Sequence, residues 1–186
     1  MGRKLQQMNP PNLHRMMETF IPIPASGQAL SAEAWQGYLN LLRSKVAPLV
    51  RDLMKQGKID WYSFLVHDKE SGVPAEAGDG LYVHLRFSLS PAAEESRFAG
   101  QLSADCRFTR KMPPPDAVSL GAVHARSLRN GDIAQGWKIF GEESELVLSL
   151  LDAHDPDQPV PPRNIGQLLH YLGNQVRAKA VGLPMP

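Results

Sequence analysis

The decamer LYVHLRFSLS, residues 81–90, alternates apolar and polar side chains almost without interruption. Its odd-numbered positions carry Leu, Val, Leu, Phe and Leu, so one face of a strand would be wholly apolar. The opposite face gathers a phenol, an imidazole, a guanidinium and a hydroxyl, from Tyr82, His84, Arg86 and Ser88. A half-buried antiparallel strand explains the apolar set. The polar set has two explanations: it faces bulk water, or it lines a pocket for an anionic group.

The stretch IDWYSFLVH, residues 59–67, is rich in aromatic and β-branched residues and predicts a second strand. A polar, glycine-rich connection, residues 68–80, joins it to the first stretch, so the two strands should pair antiparallel. Residues 19–23 predict a short strand that Pro22 confines to a sheet edge or to one end of the strand.

A helix is predicted from an N-cap at Ser31, because apolar residues recur at helical spacing from Trp35 to Leu53. Pro48 should kink or split this helix, and Gly57 is a natural residue to end it. A second helix is predicted from Glu142, with acidic residues in its first turn and a buried side formed by Leu146, Val147, Leu150 and Leu151.

The remaining segments give weaker patterns. Residues 91–101 are weakly helical, residues 105–109 and 117–128 favour one or two more strands, and a last helix is predicted after Asn164. Since helices and antiparallel strands occur without regular βαβ alternation, we expect an α+β fold, with an antiparallel sheet packed against helices and ferredoxin-like elements. We expect residues 1–18 to form a flexible arm and residues 19–182 to form a single domain.

The composition argues against several classes of protein. With 20 Lys+Arg against 19 Asp+Glu the chain is not basic, which argues against a direct nucleic-acid binder. No apolar run approaches the ~18 residues of a membrane span, and the start has no secretory signal pattern. The single cysteine, Cys106, excludes an internal disulfide and a multi-cysteine metal site. A cytoplasmic protein without a cofactor, a metal or a membrane partner is therefore expected.

Four stretches, in this order along the chain, resemble one family. They are IPIPASGQALSAEAW (21–35), APLVRDLMKQGKIDWYSFLVHD with LYVHLRFSL (47–68 and 81–89), WKIFGEESELVLSLL (137–151) and LLHYLGNQV (168–176). The sequence is similar to the C-terminal elimination domain of lantibiotic dehydratases, which also occurs in thiopeptide-type bacteriocin biosynthesis proteins. The resemblance covers roughly residues 20–180 and depends on the order and spacing of the stretches.

The resemblance implies chemistry on a ribosomally made precursor peptide. In the family, such domains remove glutamate from glutamylated Ser or Thr, or condense two dehydroamino acids. By position, Arg86 would grip the leaving carboxylate and His170 would move the proton. Tyr82, His84, Ser88, Asn174 and Arg177 would line the substrate site. The second arginine of the family strand is replaced by Ser88, and the Tyr-Glu-Pro-Glu stretch of the family is not recognisable.

Two hypotheses of different class stay open. The chain is a binding protein that holds a precursor peptide for other tailoring enzymes, or it is a stand-alone lyase or cyclase. The missing second arginine favours binding, whereas Arg86 and His170 favour a reactive site. For each residue a plainer interpretation exists: Arg86 as a surface arginine, and His170 with Asn174 and Arg177 as a solvated helix face. The sequence gives no oligomeric state.

Overall fold

The described residues form an antiparallel sheet with helices packed against it, which confirms the predicted α+β class. The computed structural model of the chain describes residues 8–24, 32–67, 80–112 and 133–153. The strand predicted at 117–128 and the helix predicted after Asn164 lie outside these ranges. The expectation of ferredoxin-like elements stays a prediction.

Four strands build the sheet in the order β2-β3-β1-β4, and every neighbouring pair is antiparallel. Their bounds are Met16–Pro22 for β1, Ile59–His67 for β2, Tyr82–Leu89 for β3 and Arg107–Lys111 for β4. The predicted pairing of β2 with β3 is confirmed. Because β1 and β2 both run antiparallel to β3, they are parallel to each other, and helices connect them.

Strand β1 begins at Met16, whereas the strand was predicted to begin at residue 19. Pro22 lies at the end of the strand, as expected for a residue without a backbone N–H. The prediction of a flexible arm is wrong for residues 8–18. Met8 is 2 % exposed, and a short 3₁₀ turn, Leu13–Arg15, precedes the strand. The arm was expected because residues 1–18 are polar and rich in Met and Gln, but Met8, Met16 and Met17 are buried in the core.

The predicted long helix consists of α1 (Ala32–Leu41), a π-helical turn (Leu42–Val46) and α2 (Ala47–Lys55). The interruption comes just before Pro48, which lies in the first turn of α2 and has no N–H with which to continue the regular hydrogen bonding of the preceding helical turn. Gly57 follows α2 with φ +66°, a left-handed conformation that favours glycine. The buried side of this helical segment packs in the main core and consists of Tyr38, Leu39, Leu42, Val46, Val50 and Leu53.

Between β3 and β4 the chain forms a short helix, α3 (Glu95–Phe98), and a 3₁₀ turn (Ala99–Gln101). Phe98 anchors α3, because its ring meets the buried Phe87 ring edge to face at 5.3 Å. The weak helical pattern of residues 91–101 therefore corresponds to about one helical turn fixed by one aromatic contact.

The last described helix, α4, spans Ile133–Ala153, so the predicted start at Glu142 is wrong by nine residues. The buried side extends back to Trp137 and Phe140, and the glutamates expected in the first turn lie in the middle of the helix. Of the predicted buried side, Val147 and Leu151 are buried, whereas Leu150 is 43 % exposed. The buried side chains of α4 recur at helical spacing and include Trp137, Phe140, Ser144, Glu145, Val147, Leu148 and Leu151.

Helix α4 crosses the outer edge of β2. The Trp61 indole N–H donates to the Trp137 carbonyl at 3.1 Å on one face of the sheet, and the Tyr62 hydroxyl donates to Glu145 on the other. At the crossing, the backbone N–H of Phe64 donates to Ser144 Oγ at 3.2 Å. This edge of the sheet is thus covered by a helix instead of facing another chain. Within the described ranges, no helix is long and apolar enough to cross a membrane.

Gly141 permits the close crossing, because a Cβ at this position would overlap the Trp61 indole and lie 2.8 Å from Met8 Sδ. We expect Gly141→Ala to lower the free energy of unfolding, because overpacking of about 1–3 kcal/mol outweighs the ~1 kcal/mol gain in helix propensity. Urea unfolding measures the change. Gly100→Ala is the matched control, since a Cβ there meets nothing within 4 Å. An equal or higher midpoint for Gly141→Ala would contradict this packing.

Candidate functional site

The polar row of β3 does not face bulk water. Tyr82, His84, Arg86 and Ser88 are all buried, and Arg86 is only 3 % exposed. The interpretation of Arg86 as a surface arginine is therefore wrong. Both faces of β3 are covered, and one of them carries titratable groups. The sequence could show the alternation but not what covers the second face.

The strand register places four polar residues in one row across the middle of this face. Arg86 lies opposite Ser63 of β2 on one side and opposite Glu18 of β1 on the other. Glu18 in turn lies opposite Arg110 of β4. Cross-strand neighbours have Cβ atoms about 5 Å apart, so the row brings a hydroxyl, a cation, an anion and a second cation together. We call this the transverse row.

The Arg86 guanidinium packs against two aromatic rings of α4 that are nearly perpendicular to each other. Its Cζ lies 4.5 Å from the centroid of the Trp137 ring and 4.5 Å from that of the Phe140 ring. These cation–π contacts favour the charged form at a buried position. Burial lowers the pKa of Arg86 to about 9, with Glu18 opposing the shift, so the group is charged at neutral pH.

The nitrogen atoms of the Arg86 guanidinium are not fully hydrogen bonded. Neither Nε nor Nη2 hydrogen bonds to any part of the chain that the structure describes. Arg15 and Arg43 also leave a buried Nε without a partner, but each donates from Nη2 to a backbone carbonyl, of Ala93 and Leu151. Buried donors are nearly always satisfied in folded proteins. Arg86 therefore has donors in excess of what its own fold uses.

Glu18 does not provide the missing partner, because both of its oxygens are engaged elsewhere. Oε1 accepts from Arg110 Nε at 2.7 Å, and Oε2 lies 2.8 Å from His84 Nε2. Burial raises the pKa of Glu18, but these two hydrogen bonds outweigh burial and hold the pKa below its ordinary value. The carboxylate is thus ionised, so the imidazole must be the donor to Oε2.

His84 is neutral at neutral pH. Burial lowers the pKa of the imidazole to about 4, since the hydrogen bond to Glu18 only partly offsets burial and the nearby Arg86 and Arg110 oppose a further positive charge. Its ring stacks on Phe20 at 4.5 Å between centroids. Tyr82 is buried in a small cluster with Phe20. His84 and Tyr82, both predicted to line a substrate site, therefore continue the buried face next to Arg86.

Ser88, also predicted to bind substrate, hydrogen bonds within the fold. Its Oγ accepts from the backbone N–H of Asn12 at 3.0 Å and hydrogen bonds to the Asp60 carboxylate. These contacts attach the N-terminal segment to β3. Ser88 occupies the position at which the elimination domains have a second arginine, and its hydroxyl stabilises the fold.

The other predicted site residues, His170, Asn174 and Arg177, lie outside the described residues. Their placement beside Arg86 stays a prediction. Among the residues that the structure does describe, no group of three or more His, Cys, Asp or Glu side chains is arranged to hold a metal ion.

Sequence reasoning missed the partners of Arg86. Glu18 was assigned to a flexible arm, because residues 16–21 pair two apolar, two polar and two apolar residues and show no period-two alternation. Trp137 is buried, but the sequence pattern could not show that its ring contacts a guanidinium. Ser63 carried no signal of its own, because its relation to Arg86 follows only from the register of β2 and β3.

The low pKa of His84 makes stability depend on pH. The unfolded state binds a proton near pH 6.5 and the folded state only near pH 4, so stability is complete above 6.5 and decreases as pH falls toward 4. We expect about 3 kcal/mol of the free energy of unfolding to be lost over this window. His84→Gln keeps a donor for Glu18 but cannot titrate. Urea unfolding from pH 7 to 4 should give a flatter profile for this variant, and an unchanged profile would contradict the assignment.

Comparison of the chain with protein-family models, with curated proteins and with solved structures found no match. The resemblance to the elimination domain therefore stays a resemblance. Function must be argued from the buried face itself, above all from a charged side chain with unused hydrogen-bond donors.

Proposed function

We propose that the protein binds the precursor peptide of a ribosomally synthesised, post-translationally modified peptide, and that Arg86 anchors an acidic group of that peptide. One observation carries the proposal: a charged guanidinium, 3 % exposed, packs against two aromatic rings while its Nε and Nη2 hydrogen bond to no described residue. The planar edge of arginine suits a carboxylate, to which it can donate two parallel charge-assisted hydrogen bonds.

The surroundings of Arg86 favour binding over chemistry. A lyase needs a group that moves a proton beside the bound carboxylate. The titratable group beside Arg86, His84, already donates to Glu18. The described part of the site thus offers a cation for an anionic group, and this supports the binding hypothesis over the lyase or cyclase alternative.

Access to Arg86 is part of the proposal. Since the guanidinium is buried, a peptide reaches Nε and Nη2 only when the side chains that cover them move. Trp137 and Phe140 lie one turn apart on α4 and both pack against the guanidinium, so one outward movement of this turn would expose it.

We place the protein in the cytoplasm, where precursor peptides are made and where other tailoring enzymes would receive the bound peptide.

The test is calorimetric titration with a synthetic precursor peptide encoded by a short gene next to that of the protein. We expect Arg86→Gln to weaken binding by about 10- to 100-fold, the worth of hydrogen bonds to a charged group. Arg97→Gln is the matched control, because Arg97 is exposed and pairs only with Glu94 three residues away. Its affinity should stay within about twofold of wild type.

Two results would contradict the proposal. Equal affinity of wild type and Arg86→Gln would remove Arg86 from the site. Mass spectrometry of a glutamylated peptide after incubation provides the second test: an unchanged mass agrees with binding alone, whereas the loss of glutamate would establish the lyase alternative.

A further inference from the structure

Arg86 is not the only group of the buried face with an unused donor. Trp137 Nε1 and Ser63 Oγ are also buried, and neither has a hydrogen-bond partner among the described residues. The Trp137 ring is one of the two that hold the guanidinium, and Ser63 is the direct cross-strand neighbour of Arg86. The two neighbours of Arg86 from α4 and β2 thus also carry buried donors without a partner among the described residues.

This clustering contrasts with the treatment of similar groups nearby. The Trp61 indole N–H donates to the Trp137 carbonyl, and the Ser144 hydroxyl donates to the Phe140 carbonyl while it accepts from the Phe64 N–H. The same two kinds of side chain are therefore satisfied a few residues away. A buried donor without a partner costs about 1–3 kcal/mol, so three residues with such donors side by side call for a shared acceptor.

The charges of the face indicate what that acceptor is. Arg86 and Arg110 are cationic, Glu18 is anionic and His84 is neutral. Asp60, hydrogen bonded to Ser88 farther along the face, has Arg15 as its counter-charge, so one positive charge is left. A group with one negative charge neutralises the site. A doubly charged phosphate would leave an excess negative charge next to the buried Glu18 carboxylate, which burial penalises.

We propose that Arg86, Trp137 Nε1 and Ser63 Oγ together bind one carboxylate of singly negative charge, in preference to a phosphate. A carboxylate accepts about four hydrogen bonds, so it can take two from the arginine edge and one each from the indole and the hydroxyl. This inference rests on the proposed function in that the carboxylate would belong to the precursor peptide. It adds Trp137 and Ser63 as residues that determine specificity.

Small probes test the site without a peptide. N-acetylalanine, N-acetylalanine amide and inorganic phosphate are titrated at pH 7.5 into ¹⁵N-labelled protein, and the indole N–H resonances are followed by NMR. We expect the carboxylate to shift the Trp137 signal saturably and the neutral amide to leave it unchanged. Phosphate should bind at least about tenfold more weakly. Equal or tighter binding of phosphate would overturn the proposal.

Two variants test the added residues. Trp137→Phe keeps a ring on Arg86 but removes the indole N–H, and Ser63→Ala removes the hydroxyl. Each should weaken N-acetylalanine binding by about 2- to 10-fold, measured by saturation-transfer NMR on the probe. Ser103→Ala, at an exposed hydroxyl, is the control and should bind like wild type. Unchanged binding in both test variants would overturn the assignment.

The outcomes separate this inference from the proposed function. Carboxylate binding that depends on Trp137 and Ser63, without any binding of the precursor peptide, would support the site and refute the peptide. Peptide binding that depends on Arg86 but not on Trp137 or Ser63 would support the proposed function and refute the three-residue carboxylate site.

Discussion

The burial of the charged Arg86 guanidinium against Trp137 and Phe140 is the constraint around which the second face of the sheet is arranged. The two rings of α4 cover the middle of that face. The effective penalty for burying an ion is several kcal/mol, and each desolvated cation–π contact returns about 2 kcal/mol. The rings therefore make the buried charge tolerable, but they leave its hydrogen-bonding edge unused.

The two faces of the sheet differ in the side chains that they bury. The apolar face of β3 packs in the main core, where Val83, Leu85 and Phe87 join the helical segment of α1 and α2. The other face is equally buried but carries the transverse row, in which Glu18 is neutralised by Arg110 and hydrogen bonded by His84. Because Glu18 has its own partners, Arg86 is not needed to neutralise it. Arg86 is therefore not one of the hydrogen-bonded partners of Glu18 that stabilise the fold.

Features that depend on neighbouring residues could be predicted from the sequence, whereas contacts between residues far apart in the chain could not. Period-two alternation and a short connection predicted β2, β3 and their pairing. Local backbone chemistry predicted the interruption of the helical segment before Pro48 and its end at Gly57. The burial of Arg86 was out of reach, because the rings that cover it are some fifty residues away in a helix whose start was misplaced. Glu18 was missed for a related reason: the signal of β1 is weak until its partner strand is known.

If Arg86 serves a ligand and not the fold, its removal should not destabilise the protein, and the free energy of unfolding of Arg86→Met measures this directly. Methionine keeps most of the volume and removes the buried charge. We expect the ligand-free variant to be more stable than wild type, by about 1–3 kcal/mol in urea unfolding, as seen when buried ionic groups are replaced by apolar ones. Arg110→Met, the comparison, should lose about 1–3 kcal/mol, because it leaves Glu18 without its guanidinium. A comparable loss in Arg86→Met would show that this arginine holds the fold together and would contradict the account.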